Sequence, residues 1–121
     1  MAEQILSISY DEALLRTREM LLRGTGYVVT SGLGFTAAVE LCQNADFDLI
    51  ILGHSIPDRD KRELMRVFLT HCSCPVLALQ RQGETPPDGA HALAFSDDPG
   101  GFLRAVHEIL RESQTESHPA N

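Results

Sequence analysis

An α/β sandwich around a five-stranded parallel sheet is the fold class this sequence predicts. Three observations point to it. Short β-branched or aliphatic runs alternate with amphipathic stretches of helical length. One run, Leu49 to Leu52, is aliphatic without a break, which suits a strand covered on both faces. Capping residues, glycines and prolines stand at the joints between runs. The chain has 121 residues, which suits one domain with one core.

The first strand is Ile5 to Ser9, short and apolar. Asp11 can cap the helix that follows, in which Leu14, Leu15, Leu21 and Leu22 recur at helical spacing with arginines between them. Gly24 and Gly26 stop that helix, because glycine accepts the left-handed conformation found at helix ends. Tyr27 to Ser31 is a strand by its aromatic and β-branched content. Phe35 to Asn44 reads as a helix with Phe35, Ala38, Val39 and Cys42 on one face. Phe47 to Leu52 is the third strand, ending at Gly53. After Pro57 a third helix turns Leu64, Val67 and Phe68 inward, and Pro75 to Leu79 is a fourth strand.

The rhythm breaks at residues 81–90, where Gly83, Pro86, Pro87 and Gly89 forbid a regular helix. The fourth helix of a regular alternation is therefore expected to be shortened or missing. Ala92 to Phe95 is a fifth strand, and Asp98-Pro99 is an N-cap followed by proline at the first helical position. Phe102, Leu103, Val106, Ile109 and Leu110 form the clearest amphipathic stripe in the chain. The expected domain is 1–112, with 113–121 a polar, flexible tail. Five strands in this alternation suggest the flavodoxin-like order 2-1-3-4-5.

Composition narrows the function. The net charge is −7, so the chain repels a phosphate backbone and no nucleic-acid partner is expected. The one basic cluster, Arg59 to Arg62, contains an acid and reads as a solvated helix start. No apolar run is long enough to span a bilayer, no signal peptide is visible, and no membrane partner is expected. Three cysteines, an odd number, read as reduced thiols in the cytoplasm.

Several features together resemble the receiver domain of bacterial response regulators, over roughly residues 4–112. Residues 48–64 look like that family's third strand, phosphorylation loop and third helix, with Pro57 at the usual spacing. Pro75 to Leu79 is similar to its fourth strand, residues 30–41 to the join of its second strand and second helix, and residues 97–110 to the start of its last helix. The resemblance implies transfer of a phosphoryl group to an aspartate. An acidic pair after the first strand would bind Mg²⁺, the acceptor would end the third strand, and a hydroxyl and a lysine after the fourth and fifth strands would hold the phosphoryl group. A hard cation needs oxygen ligands and a developing dianion needs positive partners.

None of these positions carries the required chemistry. The acidic pair aligns with Ser9 and Tyr10, leaving only the neighbouring Asp11. The acceptor position is Gly53, the hydroxyl position Gln80 and the lysine position Phe95. A degenerate, phosphorylation-independent receiver is therefore expected, with Tyr10, His54 and Phe95 filling the space of ion and phosphate. It would be no enzyme and would need no cofactor and no metal. Its partner would be a protein: a histidine kinase, another regulator or an output protein. The contact surface would use the loop 81–90 and the last helix, and the chain would be a monomer or weak homodimer.

Other chemistries are visible. Gly32 to Ala37 matches G-x-G-x-x-A between a strand and a helix, but no acid stands at the end of the next strand, so a tight turn competes with a nucleotide site. His71-Cys72-Ser73-Cys74 lacks the C-x-x-C spacing of redox and zinc sites. His54 alone among the histidines falls at the presumed site, where a neutral hydrogen-bonded ring is the simpler reading than a catalyst. Asp11, Asp58 and Asp60 could gather around a cation or stay solvated, and Asp58 is an alternative phosphoacceptor.

Overall fold

The computed structural model describes residues 2–85 and 87–116, with side chains described as far as residue 112. Parallel strands β1 (Gln4–Ser9), β2 (Val28–Leu33), β3 (Leu49–Leu52), β4 (Val76–Gln80) and β5 (Ala92–Phe95) form one sheet. Their order is β2-β1-β3-β4-β5, as the alternation predicts. Helices α1 (Glu12–Gly24), α2 (Phe35–Asn44), α3 (Asp58–His71) and α4 (Pro99–Glu116) cover its faces.

Alternation along the strands divides the interior in two. Ile5, Leu49, Ile51, Leu77 and Leu79 meet Leu22 of α1 and Phe102 and Val106 of α4 on one face. Leu6, Ile8, Ile50 and Leu52 meet Ala38 and Cys42 of α2 and Leu64 and Phe68 of α3 on the other. Residues 49–52 are buried on both sides, which explains why β3 lacks polar alternation.

The caps behave as their chemistry requires. Asp11 accepts from the Leu14 N–H at 3.1 Å, and Asp98 accepts from the Gly101 N–H at 3.0 Å. The strand boundaries move a little. β2 runs on to Leu33, so Gly32 is a strand residue rather than part of a turn. α4 continues to Glu116, four residues into the segment expected to be a tail, and residues 117–121 lie outside those described.

Among the described residues no helix forms between β4 and β5. The crossover is eleven residues long, 81–91, close to the shortest length such a connection tolerates, and its described residues are irregular chain. Arg81 N–H donates to Glu84 Oε1 at 2.6 Å, and Gln80 Nε2 donates to the Glu84 carbonyl at 3.3 Å, which ties the start of the loop. At its end the Val76 N–H donates to His91 Nδ1 at 3.1 Å and the His91 N–H to the Val76 carbonyl at 2.9 Å. Without a helix here, β5 is thinly covered: Leu93 is 48% and Phe95 46% exposed.

Candidate functional site at the carboxyl end of the sheet

In an open parallel sheet, ligands bind outside the carboxyl ends of the strands, where the strand order reverses. Here that place lies between β1 and β3, and Gly53 sits in it. Its N–H donates to the Ile8 carbonyl at 2.9 Å, continuing the ladder. Gly53 is not among the glycines with positive φ, so backbone conformation does not demand it. Space does. A Cβ at this position would stand 2.8 Å from the Ile8 carbonyl oxygen, 3.0 Å from Arg18 Nη1 and 3.4 Å from Ser9 Cα.

The neighbouring group, Arg18, escaped sequence reasoning. It comes from α1, is only 6% exposed, and makes no ion pair shorter than 4 Å among the described residues. Its Nη2 lies 3.1 Å from His54 Nδ1, and its Nη1 is buried without a hydrogen-bond partner. A guanidinium only donates, so His54 accepts at Nδ1 and, as a neutral ring, carries its proton on Nε2. Burial lowers the Arg18 pKa, partly offset by the field of Asp11; the group remains a cation at neutral pH. Burial, followed by Arg18, Arg81 and Lys61, lowers the His54 pKa, with Glu84 opposing. The resemblance called for carboxylates around a metal ion. The charges acting on His54 are mostly cationic.

The other aligned positions hold neutral or structural groups. Ser9 is fully buried, with its Oγ 3.1 Å from Ser55 Oγ. Ser9 Oγ donates to the Asp11 carbonyl at 3.1 Å and accepts from the Asp11 N–H at 3.0 Å, while the Tyr10 N–H donates to Ser55 Oγ at 3.2 Å. All four contacts are satisfied when Ser55 donates to Ser9. Hydroxyls thus join the two loops. Tyr10 OH donates to Asp60 Oδ2 at 2.8 Å, and burial together with that carboxylate raises the phenol pKa well above its usual value. The carboxylate of Asp11 is the α1 cap, and Gln80 is buried with its amide on the loop. Phe95 departs from expectation: 46% exposed, it borders a small cavity beside Leu14, Arg18 and Phe102 instead of plugging the site. The side-chain atom closest to the space above Gly53 belongs to Arg18.

The alternative motifs have structural explanations. Gly34 adopts φ 91°, and its N–H donates to the Ser9 carbonyl at 3.1 Å. A Cβ on Gly32 would come within 3.2 Å of Leu41 Cδ1. Cys72 Sγ donates to the Cys42 carbonyl at 3.6 Å. Burial is the main cause that pushes the Cys42 and Cys74 thiols up to about 12. Among the described residues, no three His, Cys, Asp or Glu side chains are placed to hold a metal ion, and no helix is long and apolar enough to cross a membrane.

A signal for Arg18 was present. Leu15, Arg18 and Leu22 follow the i, i+3, i+7 spacing of one helix face, and all three are buried. Lys61 follows the same rule on α3 with Leu64 and Phe68.

Comparison with known proteins extends this picture. No protein-family model matches the chain. It is 31% identical over 114 residues to protein PetR of Rhodobacter capsulatus, covering 88% of this chain and 48% of PetR. Over 84 residues it is 34% identical to the two-component response regulator ORR24 of Oryza sativa subsp. indica, covering 68% of this chain and 13% of that protein. The chain thus spans about half or less of the length of these relatives. Among solved structures, the CheY-like response regulator receiver domain protein of Methanospirillum hungatei superposes with a TM-score of 0.83 at 21% identity, covering 96% of this chain and 99% of that one. The receiver domain of a sensor histidine kinase from Pseudomonas aeruginosa, which has a magnesium ion coordinated in its active-site cleft, gives 0.79 at 19% identity, covering 92% and 99%. Sheet order, helix placement and sequence likeness agree, and the chain is a receiver domain of the response-regulator type.

Proposed function

We propose that this domain signals without accepting a phosphoryl group, through contacts with a protein partner, and that it catalyses no reaction. The observation that carries this reading is the crowding at Gly53, where Arg18 and the Ile8 carbonyl occupy the space an acceptor side chain would need. The positions aligned with the Mg²⁺-binding pair, Ser9 and Tyr10, contribute hydroxyls engaged with Ser55, Asp11 and Asp60. A dication beside the buried Arg18, which has no ion pair within 4 Å among the described residues, would meet repulsion rather than ligands. The contact surface is the region changed by the missing helix: loop 81–91, the thinly covered β5 with Leu93 and Phe95, and the outer side of α4. The partner is a kinase, a regulator or an output protein of a two-component pathway.

The test is affinity capture from the host lysate, with and without Mg²⁺ and acetyl phosphate. The same partner should be recovered in equal yield in both conditions. Capture that depends on acetyl phosphate would contradict the reading.

A further inference from the structure

Among the described residues, two buried side-chain polar atoms lack a hydrogen-bond partner, Ser7 Oγ and Arg18 Nη1, and only the second belongs to a charged group. Burying a cation is costly unless an anion or a set of acceptors compensates it. His54 meets Nη2, not Nη1. The field of Asp11 reaches Arg18, but that carboxylate is the exposed α1 cap, accepts from the Leu14 N–H at 3.1 Å, and leaves Nη1 without a partner. Arg18 also lines a cavity of about 70 Å³ between α1, the ends of β4 and β5 and the start of α4. Its walls include Leu21, Leu79, Phe95 and Phe102. The polar residues beside Arg18 are Thr17 and Ser96, and no acid lines the space. Leu79, Phe102 and Arg18 are its buried side, Thr17 and Phe95 its exposed side. Apolar walls with a few converging polar groups are the usual make-up of a small-ligand site. At about 30 Å³ per water, the space holds roughly two waters, or a carboxylate with a short carbon tail leading outward.

We propose that this cavity binds a small aliphatic carboxylate, its charge held by the Arg18 guanidinium, its second oxygen by the Ser96 hydroxyl and its carbons by Leu21 and Phe95. A guanidinium only donates, and a carboxylate is the acceptor that gives it a charge-assisted hydrogen bond. Thr17 Oγ1 already donates to the Ala13 carbonyl at 3.0 Å, which leaves the Ser96 hydroxyl as the second donor. A phosphate dianion fits less well, because it would shed its water against Leu79 and Phe102 with too few donors in return. The site is separate from the space above Gly53, which Arg18 and the Ile8 carbonyl occupy. It involves no covalent step and does not depend on the proposed partner contacts.

The test titrates the wild-type chain with butyrate against chloride at constant ionic strength, followed by NMR of the backbone amides and the Arg18 side chain. Saturable shifts are expected at residues 14–21 and 95–99 and at the Arg18 guanidinium, with a dissociation constant on the order of millimolar for so small a ligand. Acetate should bind more weakly, with each added CH₂ from acetate to butyrate tightening the complex by up to about fourfold. Butanamide, the neutral analogue, should not saturate. Arg18→Gln should weaken butyrate by at least about tenfold, as expected for loss of a charge-assisted hydrogen bond. If Arg18→Gln fails to fold, Ser96→Ala and Phe95→Ser should each weaken binding, the first by loss of a donor and the second by loss of a wall. Shifts that never saturate, equal binding of butanamide, equal or tighter binding of inorganic phosphate, or butyrate binding untouched by these substitutions would overturn the site. The two readings fail separately: acetate in place of acetyl phosphate in the capture experiment separates an effect of a carboxylate from one of phosphoryl transfer.

Discussion

Gly53→Ala isolates the crowding at the end of β3. Elsewhere, replacing a glycine that lacks positive φ stabilises a protein by about 0.4–1 kcal/mol, because the unfolded chain loses freedom. At residue 53 the new methyl would lie 2.8 Å from a backbone carbonyl oxygen and 3.0 Å from a buried guanidinium nitrogen. Neither neighbour yields easily. The carbonyl belongs to the β1–β3 ladder, and Arg18 is held between the helix and His54. Overpacking of this kind costs about 1–3 kcal/mol. The balance is a net loss of about 0.5–2 kcal/mol, or a fall in melting temperature of roughly 2–8 °C for a domain of this size. Gly24→Ala is the internal control, since nothing stands within 4 Å of its added Cβ and its φ is not positive. That variant should be neutral or more stable. Urea and thermal unfolding of both variants decide the matter. If Gly53→Ala matched the gain of Gly24→Ala, the space above residue 53 would not be filled as described.

Further expectations follow from the same geometry. Arg18→Met removes a cation that depresses His54, so the His54 titration should move upward in NMR. In the wild type the lowered His54 pKa makes the unfolded state bind more protons between that value and about 6.5, so stability falls as pH drops through this window. The substitution should narrow the window, and an unchanged His54 titration would show that Arg18 does not act on the ring. Cys42 and Cys74, with thiols near 12, should resist alkylation at mildly alkaline pH in the native protein and react readily in urea. Rapid native labelling of either would contradict their placement.

Much of the fold is legible in the sequence because local signals agree with one another. The unbroken aliphatic run at Leu49–Leu52, the Asp11 and Asp98 caps and the stripe from Phe102 to Leu110 each point to the element observed. The glycines and prolines of 81–90 likewise announce the absent helix. The site is harder to read, because its content depends on which side chains converge from separate elements. Alignment identifies Ser9, Tyr10, Gly53, Gln80 and Phe95 as positions without charge. It does not reveal that Arg18 crosses to Gly53, a contact made thirty-five residues away in sequence. Aromatic bulk at Phe95 suggested a plug, yet the missing helix leaves that ring half in solvent. Arg18 and Lys61 looked like ordinary surface cations by residue type. Only their spacing with Leu15, Leu22, Leu64 and Phe68 marked them as inward-facing.

The central claim, that this receiver scaffold cannot take up a phosphoryl group where its relatives' sites would lie, is tested most directly by intact-mass spectrometry after incubation with Mg²⁺ and acetyl phosphate. The account predicts an unmodified mass at every concentration. A stoichiometric phosphoryl adduct on any carboxylate near the end of β3, Asp58 included, would contradict it.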